Sequence, residues 1–135
     1  MDNTLRIAAK LESWDTIRTF VLDRVEQRNV DQDIAFKIEL ALEELVVNVI
    51  NYAYPQSGGD LEIGCTLEVP SGLCISIRDW GRPFNPLERE SPDLAPDISE
   101  RAVGGLGVFL VRQMADDIDY IPMEDGNMLI VRFKM

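Results

Sequence analysis

The sequence predicts an α+β fold of two layers, in which helices pack on one face of a mixed, mostly antiparallel sheet. Two patterns carry this prediction. Apolar residues recur at three- and four-residue spacing over residues 14–28 and 31–54, as they do in amphipathic helices. Apolar and polar residues alternate instead over residues 61–69 and 73–79, and a Pro-Ser-Gly turn between these stretches completes a predicted β-hairpin with one buried face.

Capping residues and a turn dipeptide define the boundaries of these elements and predict further ones. Ser13 and Asp31 are the expected N-caps of the two long helices, because their side-chain oxygens can accept hydrogen bonds from the first helical turn. An Asp-Gly dipeptide near the end of the chain predicts a second hairpin. The additional expected elements are an edge strand at Thr4–Ala9, a helix at Val108–Ala115, and closing strands near Asp117–Met123 and Met128–Met135.

Length and composition indicate a single domain, residues 1–135, whose 46% apolar residues can form a core without disulfides. Lys and Arg number 13 against 24 Asp and Glu, so the net charge is −11, and nucleic acid or an anionic membrane would be repelled. The sequence has neither an apolar run of membrane-spanning length nor the basic and apolar segments of a signal peptide. We therefore expect a cytoplasmic protein.

The chain contains no histidine and two cysteines, which narrows its chemistry. Without histidine, Ser-His-Asp catalysis, Cys-His catalysis and imidazole-bound zinc are excluded. Cys65 and Cys74 lack the spacing of metal ligands. In the predicted hairpin Cys65 points inward and Cys74 points outward, so we expect no disulfide between them.

Two polar side chains interrupt the apolar stretch of the second helix. Glu44 and Asn48 lie four residues apart and hence on one face, with Asn51 on the same side and Glu43 well off it. A carboxylate and an amide that are flanked by core residues suit a site that holds a metal ion or polarises a water. A solvent-facing polar stripe on an amphipathic helix would give the same pattern, so the helix alone leaves both interpretations open.

The predicted second strand of the hairpin ends in a carboxylate. Asp79 has the same odd parity as the apolar residues of this strand, which places it on the buried face, where a carboxylate is unfavourable unless it is hydrogen-bonded. In the motif Asp79-Trp80-Gly81, the glycine would permit a sharp turn and the close approach of a ligand. An Asp that only caps the turn after a strand is the alternative.

A long irregular segment precedes the third helix. Residues Asn85 to Val103 carry three prolines and many charges with little periodicity, and loops of this length are commonly functional lids or disordered. The segment leads into Gly104-Gly105-Leu106-Gly107. Glycines that open a helix offer N–H groups and the positive end of its dipole to a phosphate. The stretch is not a Walker loop, because no Gly-Lys-Ser/Thr sequence follows.

Together, Glu44-x-x-x-Asn48, Asp79-x-Gly81 and Gly105-x-Gly107 resemble, in order and spacing, the N box and the two glycine boxes of the GHKL (Bergerat-fold) ATP-binding domain. Gyrase-type ATPases, heat-shock chaperones, mismatch-repair ATPases and sensor histidine kinases share this domain, and the resemblance covers nearly the whole chain. The length and the stretches ALEELVVNVINYAY and GGLGVFLVRQMAD are most similar to the small anti-sigma factors that are also serine/threonine protein kinases.

The resemblance implies a role for each motif, with ATP and Mg2+ as cofactors. Asp79 would bind the adenine amino group, Asn48 would coordinate magnesium between the phosphates, and Glu44 would act as the catalytic base or orient the attacking group. Glycine N–H groups of the second box would bind the phosphates, under a lid at about Asn85 to Gly104.

Two arginines are added to this set from their placement alone, as candidates for neutralising the phosphates. The complete predicted nucleotide-binding set is Asn48, Asp79, Gly81, Arg82, Arg101, Gly105, Leu106, Gly107 and Val108.

The implied function is that of an anti-sigma regulatory factor in a partner-switching system. Such a protein phosphorylates a serine or threonine of a small STAS-domain antagonist and sequesters a sigma factor or another target, and the resemblance suggests a homodimer. A non-catalytic, ATP-gated binding module is one alternative, against which Glu44 argues. The ATPase domain of a sensor-kinase-like system is another, although the chain lacks histidine and a dimerisation helix pair. Tyr52, where many relatives have histidine, leaves the partner-facing surface open.

Overall fold

The computed structural model describes residues 3–54, 58–68, 72–88 and 105–134, with the backbone alone for residues 105–108. These residues form a five-stranded sheet and three α-helices. The strands are β1 (Thr4–Ala8), β2 (Asp60–Glu68), β3 (Gly72–Asp79), β4 (Asp117–Met123) and β5 (Gly126–Lys134), and the helices are α1 (Trp14–Glu26), α2 (Gln32–Tyr52) and α3 (Gly105–Met114). Short 3-10 helices lie at Leu11–Ser13 and Pro86–Glu88.

The strand order in the sheet is β1-β2-β3-β5-β4, and each of these neighbouring pairs is antiparallel. The α+β prediction is confirmed, and so is the edge position of β1. The predicted mixed character is wrong for the described strands. β4 runs in the same direction as β3, but β5 returns from β4 through a hairpin and inserts between the two, so no parallel pair forms among the described strands.

The core lies between the helices and one face of the sheet. Alternate residues of β2, β3 and β5 point to this face, and the apolar stripes of α1 and α2 are buried against them. Cys65 belongs to this core, whereas Cys74 lies on the opposite face, and both are free thiols. The predicted parity of the first hairpin is therefore confirmed.

The starts of the two long helices are stabilised differently. Asp31 caps α2 as predicted, because its carboxylate accepts a hydrogen bond from the Asp33 N–H. Ser13 precedes α1 but makes no capping hydrogen bond, since it already has helical dihedrals at the end of a 3-10 turn. Beyond the end of α1, Asn29 adopts a left-handed φ of 51° that breaks the helical path two residues after Gln27.

Three predicted boundaries are shifted near the candidate site. α2 ends at Tyr52 rather than at Tyr54. α3 begins at Gly105, so the glycines lie in its first turn instead of preceding it. β5 begins at Gly126 rather than at Met128, because Gly126 already pairs across the hairpin.

α2 occupies the middle of the helical layer, where it contacts both α1 and α3. The elements that carry the other candidate residues therefore lie beside α2. Within the described parts of the chain, every helix is too short or too polar to cross a membrane.

Candidate functional site

A buried carboxylate lies at the end of β3, on the face that carries the core. Asp79 is 2% exposed and pairs with Leu61 on β2 and with Asn127 on β5. Its Oδ1 accepts two hydrogen bonds of 2.9 Å, from the Gly81 N–H and from Asn127 Nδ2. Both bonds that the described residues make to this carboxylate fall on Oδ1, so Oδ2 can accept a hydrogen bond from a ligand.

The environment of Asp79 acts on its pKa in two directions. Burial raises the pKa because the ionised carboxylate loses hydration, and this effect is the largest. Hydrogen bonds from Asn127 and Gly81 and the positive charge of Arg78 lower it in part. The net effect is a raised pKa, so these groups do not fully replace the lost hydration of the ionised carboxylate. A hydrogen-bond donor on a ligand would therefore stabilise the ionised form further.

Asn127 connects this carboxylate to the loop that follows β3. Its Nδ2 donates to Asp79 Oδ1 and to the Arg82 carbonyl, both at 2.9 Å. Its Oδ1 accepts from the Phe84 N–H at 2.9 Å and from the Tyr120 hydroxyl at 2.5 Å. The amide is 2% exposed and all four of its hydrogen-bonding positions are used.

The loop after β3 is fastened to the C-terminal end of α2. A Cβ added at Gly81 would lie 2.3 Å from the Ala53 carbonyl oxygen, so the two backbones approach more closely than any other residue permits. The Arg82 N–H donates to the same carbonyl at 3.1 Å, and Arg82 Nε donates to the Tyr52 carbonyl at 2.7 Å. Gly81 was predicted to allow a turn and the approach of a ligand, and its neighbour here is the α2 backbone.

Aromatic side chains complete this junction. The rings of Tyr52 and Phe84 stack with centroids 5.0 Å apart. The Tyr54 hydroxyl accepts a hydrogen bond from the Trp80 N–H at 2.7 Å and donates to the Asp60 carbonyl at 2.9 Å. The end of α2, the start of β2 and the end of β3 are therefore joined at one place.

Asn48 and Glu44 share one face of α2, as predicted, but they are joined through the backbone. Asn48 Nδ2 donates to the Glu44 carbonyl oxygen at 2.7 Å, not to its carboxylate. Asn48 is 1% exposed, and its Oδ1 is buried without a hydrogen-bond partner. The Glu44 carboxyl is half-buried, and burial followed by the charge of Glu43 raises its pKa. Asn48 therefore presents an unsatisfied oxygen, while Glu44 keeps its carboxylate for another partner.

The second glycine motif forms the first turn of α3. The first four N–H groups of an α-helix have no partner within the helix, and Gly105, Leu106, Gly107 and Val108 hold these positions here. α3 packs against α2 through residues that include the buried Val111. The N–H groups predicted to bind phosphate thus lie in the first turn of a helix that packs beside the one that carries Asn48.

The predicted lid is described only at its start, residues 85–88. Residues 89–104, including Arg101, lie outside the described residues. The 3-10 turn Pro86–Glu88 precedes this segment, and Arg112 of α3 donates to the Leu87 carbonyl at 2.9 Å. The start of the predicted lid is therefore held against α3 by a hydrogen bond.

The candidate residues converge because the end of β3 abuts the end of α2. Asn48 precedes Ala53 by five positions, which corresponds to about 7.5 Å along a helix axis. Asp79 is linked to that end through Gly81, and α3 lies against the same helix. Arg82 is exposed, and its Nε is already bound at the end of α2.

A family model of the histidine kinase-like ATPase domain matches residues 7–133 of this chain. The chain belongs to this family. The matched range includes the candidate residues on α2, β3 and α3 and the Asn127 amide. The predicted membership of the GHKL superfamily is confirmed.

Two proteins similar to this chain are serine-protein kinases. The chain is 26% identical over 133 residues to the serine-protein kinase RsbW of Bacillus thuringiensis (strain Al Hakam), a match that covers 96% of this chain and 82% of that protein. It is 24% identical over 133 residues to the serine-protein kinase RsbW of Bacillus mycoides (strain KBAB4). These similarities support the predicted group of anti-sigma kinases.

Solved structures have the same fold. The RsbU and RsbW domains of a Mycobacterium tuberculosis protein match 97% of this chain with a TM-score of 0.67 at 15% identity, and the match spans 32% of that solved chain. The mycobacterial sensor histidine kinase MprB matches with a TM-score of 0.52 at 18% identity, over 96% of each chain. At such identities the likeness establishes the fold of the histidine kinase-like ATPase domain.

Sequence reasoning missed the Asn127 amide and its partner Tyr120. The Asp-Gly dipeptide dominates the sequence pattern there and assigns Asn127 to the turn. The parity that points to Asp79 could have found it, because Asn127 shares its odd parity with the buried Leu129 and Val131. Tyr120 has no comparable signal, since its hydroxyl matters only through a cross-strand contact.

Proposed function

We propose that this chain binds magnesium and ATP and transfers the γ-phosphate to a serine or threonine of a STAS-domain antagonist, as an anti-sigma factor in a partner-switching system. The observation that carries the proposal is the buried carboxylate of Asp79, held through Oδ1 and open at Oδ2. The family of the chain and its similarity to serine-protein kinases named RsbW support the same function.

Asp79 is proposed to recognise adenine. The 6-amino group of adenine is a hydrogen-bond donor, and Oδ2 of the carboxylate is an acceptor at the end of the apolar, core-facing side of β3. A hydrogen bond to a charged group contributes about 1.5–3 kcal/mol. A purine with an oxygen at position 6 would place an acceptor against the carboxylate and be rejected.

Asn48 is proposed to hold magnesium through its side-chain oxygen. Oδ1 is buried and lacks a hydrogen-bond partner, while Nδ2 is occupied by its bond to the Glu44 carbonyl, so the oxygen is the atom left for a cation. Amide and phosphate oxygens are ligands that magnesium prefers. When bound, the ion would neutralise phosphate charge and orient the phosphates.

Glu44 is proposed to act as the base. The hydroxyl oxygen of the substrate serine or threonine attacks the γ-phosphorus, the bond to the bridging β–γ oxygen breaks, and ADP leaves. The hydroxyl proton goes to the Glu44 carboxylate. Its raised pKa improves the match to a proton acceptor that works near neutral pH.

The phosphates are proposed to lie at the N-terminus of α3. The N–H groups of Gly105 to Val108 have no partner within the helix, and together with the positive end of the helix dipole they favour anions there. Arg82 and Arg101 remain proposed contributors of positive charge.

Because ATP is a cytoplasmic metabolite, a cytoplasmic location belongs to the same proposal.

The deciding experiment is phosphotransfer from γ-labelled ATP with magnesium, in the presence of STAS-domain proteins from the same genome. We expect acid-stable label on one STAS protein, as for phosphoserine or phosphothreonine, and transfer about 10²–10⁴-fold slower with Glu44→Gln. ATP binding without transfer to any STAS protein would contradict the kinase proposal and favour an ATP-gated binding module. Acid-labile label would instead indicate sensor-kinase chemistry.

A further inference from the structure

We propose that Tyr120 and Asn127 are positioning residues that set the preference of the site for a 6-amino purine, by fixing the Asp79 carboxylate through Oδ1. This inference rests on the proposed binding of ATP and extends it to two residues outside the three sequence motifs. Neither residue is proposed to touch the nucleotide.

The orientation of the Asn127 amide follows from its four partners. The Phe84 N–H and the Tyr120 hydroxyl lie at one end of the amide, and a backbone N–H can only donate. The Arg82 carbonyl lies at the other end and can only accept. The end that faces Asp79 is therefore the NH2 group, and a flipped amide would lose bonds to both loop residues.

Tyr120 adds a second donor to the oxygen end of the amide. It lies on β4, opposite Leu129 of β5, which brings its hydroxyl to Asn127 across the hairpin. Burial and the nearby negative charge of Asp79 raise the pKa of this hydroxyl, so it stays protonated and donates. Tyr120 therefore contributes to the amide orientation without contacting the Asp79 carboxylate itself.

The fixed Asn127 amide determines which hydrogen bond the Asp79 carboxylate can make to a ligand. Two donors on Oδ1, from Gly81 and Asn127, set the plane of the carboxylate and leave Oδ2 as an acceptor. A carboxyl that could take up a proton would tolerate a 6-oxo purine, because a protonated carboxyl is a donor. A site built for one hydrogen-bonding pattern rejects the opposite pattern most strongly when its own groups are held in place.

The experiment measures the dissociation constants of three nucleotides by titration calorimetry with magnesium present. ATP carries the 6-amino group, inosine triphosphate carries an oxygen there, and purine riboside triphosphate carries neither. The variants are Tyr120→Phe, which removes only the hydroxyl, and Asn127→Asp, which replaces the donor to Asp79 by an acceptor. Tyr54→Phe is the matched control, because its hydroxyl also stabilises the junction but makes its hydrogen bonds in the described residues with backbone groups.

We expect the preference for ATP over inosine triphosphate to fall about tenfold in Tyr120→Phe and further in Asn127→Asp, from the loss of oriented hydrogen bonds. Tyr54→Phe should change all three affinities by the same factor and leave the preference intact. Equal weakening of all three nucleotides in Tyr120→Phe would overturn the inference, whether or not Asn127→Asp folds. Failure of the wild-type chain to bind ATP would instead overturn the proposed function together with the inference.

Discussion

Glu44 and Asn48 lie one helical turn apart on α2, yet their surroundings suit them to different tasks. The Asn48 side chain is buried and fixed by its bond to the Glu44 carbonyl, whereas the Glu44 carboxyl is half-buried. A fixed amide oxygen suits a ligand that remains in place. A partly hydrated carboxylate suits a group that takes up and releases a proton.

Glu44→Gln should lower the phosphotransfer rate by about 10²–10⁴-fold, because it removes the proposed base but keeps the shape of the side chain. The dissociation constant for ATP should stay within about twofold, since the variant keeps the groups proposed to bind the nucleotide. In the wild-type chain the acidic limb of the pH–rate profile should lie above the ordinary glutamate pKa of 4.5. Full activity of the variant in the phosphotransfer assay would remove Glu44 from the mechanism.

Asn48→Ala should weaken ATP binding about tenfold or more when magnesium is present, because the buried Oδ1 is the proposed ligand. Binding in the presence of a chelator should change little. Asn51→Ala is the control, since Asn51 lies on the same side of α2 but is exposed. An equal loss with and without magnesium in calorimetric titrations would count against a ligand role.

Asp79→Asn should make the fold more stable at neutral pH while it removes the proposed adenine acceptor. Burial raises the pKa of Asp79 above its ordinary value of 3.8. A carboxyl of this kind stabilises the fold below pH 3.8, and that stabilisation is lost as the pH rises through the folded pKa. Urea unfolding between about pH 4 and 7 should show the wild-type free energy of unfolding falling relative to the variant, and parallel curves would refute this prediction.

The sequence was informative about single residues where a pattern was broken. Asp79 and Asn48 stand out because they interrupt apolar positions of known period, and the structure buries both. Their hydrogen bonds could not be predicted, because Asn127 and the Glu44 carbonyl become partners only through strand register and helix geometry.

At the scale of elements, the junction of α2 with the loop after β3 holds the site together. The loop donates from Arg82 to two carbonyls at the end of α2, and Phe84 stacks on Tyr52. Helix C-termini leave carbonyl groups without partners in the helix, so this loop also serves as the cap of α2. A change in the loop therefore affects both the helix end and the carboxylate beyond it.

Gly81→Ala should destabilise the fold by about 1–3 kcal/mol, because overpacking forces backbone shifts. The added Cβ would lie 2.3 Å from the Ala53 carbonyl oxygen, and backbone atoms cannot move aside as a side chain can. Gly58→Ala is the matched control, since a Cβ there would meet no atom within 4 Å. Denaturant unfolding of both variants tests this prediction, which fails if the two are equally stable.

Element boundaries were less predictable than element types. The sequence predicts a glycine-rich turn followed by a helix at Val108–Ala115, whereas the helix begins at Gly105 although glycine is a poor helix former. Packing of α3 against α2 overrides the local propensity there. The Asp-Gly dipeptide predicts the β4–β5 hairpin correctly, but the strand pairing starts at the glycine itself.

At the scale of the whole molecule, the two-layer fold brings together motifs that are distant in sequence. The helix with Asn48, the strand that ends in Asp79 and the helix that begins at Gly105 meet because α2 contacts α3 and also packs on the sheet. The fold class followed from periodicity, since alternating strands and amphipathic helices each have one face to bury. The strand order did not, because it depends on long-range pairing that no local pattern encodes.

The central claim is that the chain binds ATP through Asp79, and titration calorimetry of ATP with magnesium into the wild-type chain and Asp79→Asn tests it most directly. Both bonds to Oδ1 can persist in the variant, so the fold is kept while Oδ2 becomes an NH2 group that repels the adenine amino group. We predict that ATP binds the wild-type chain and binds Asp79→Asn at least about tenfold more weakly. Equal affinities for ATP would contradict the account of this site.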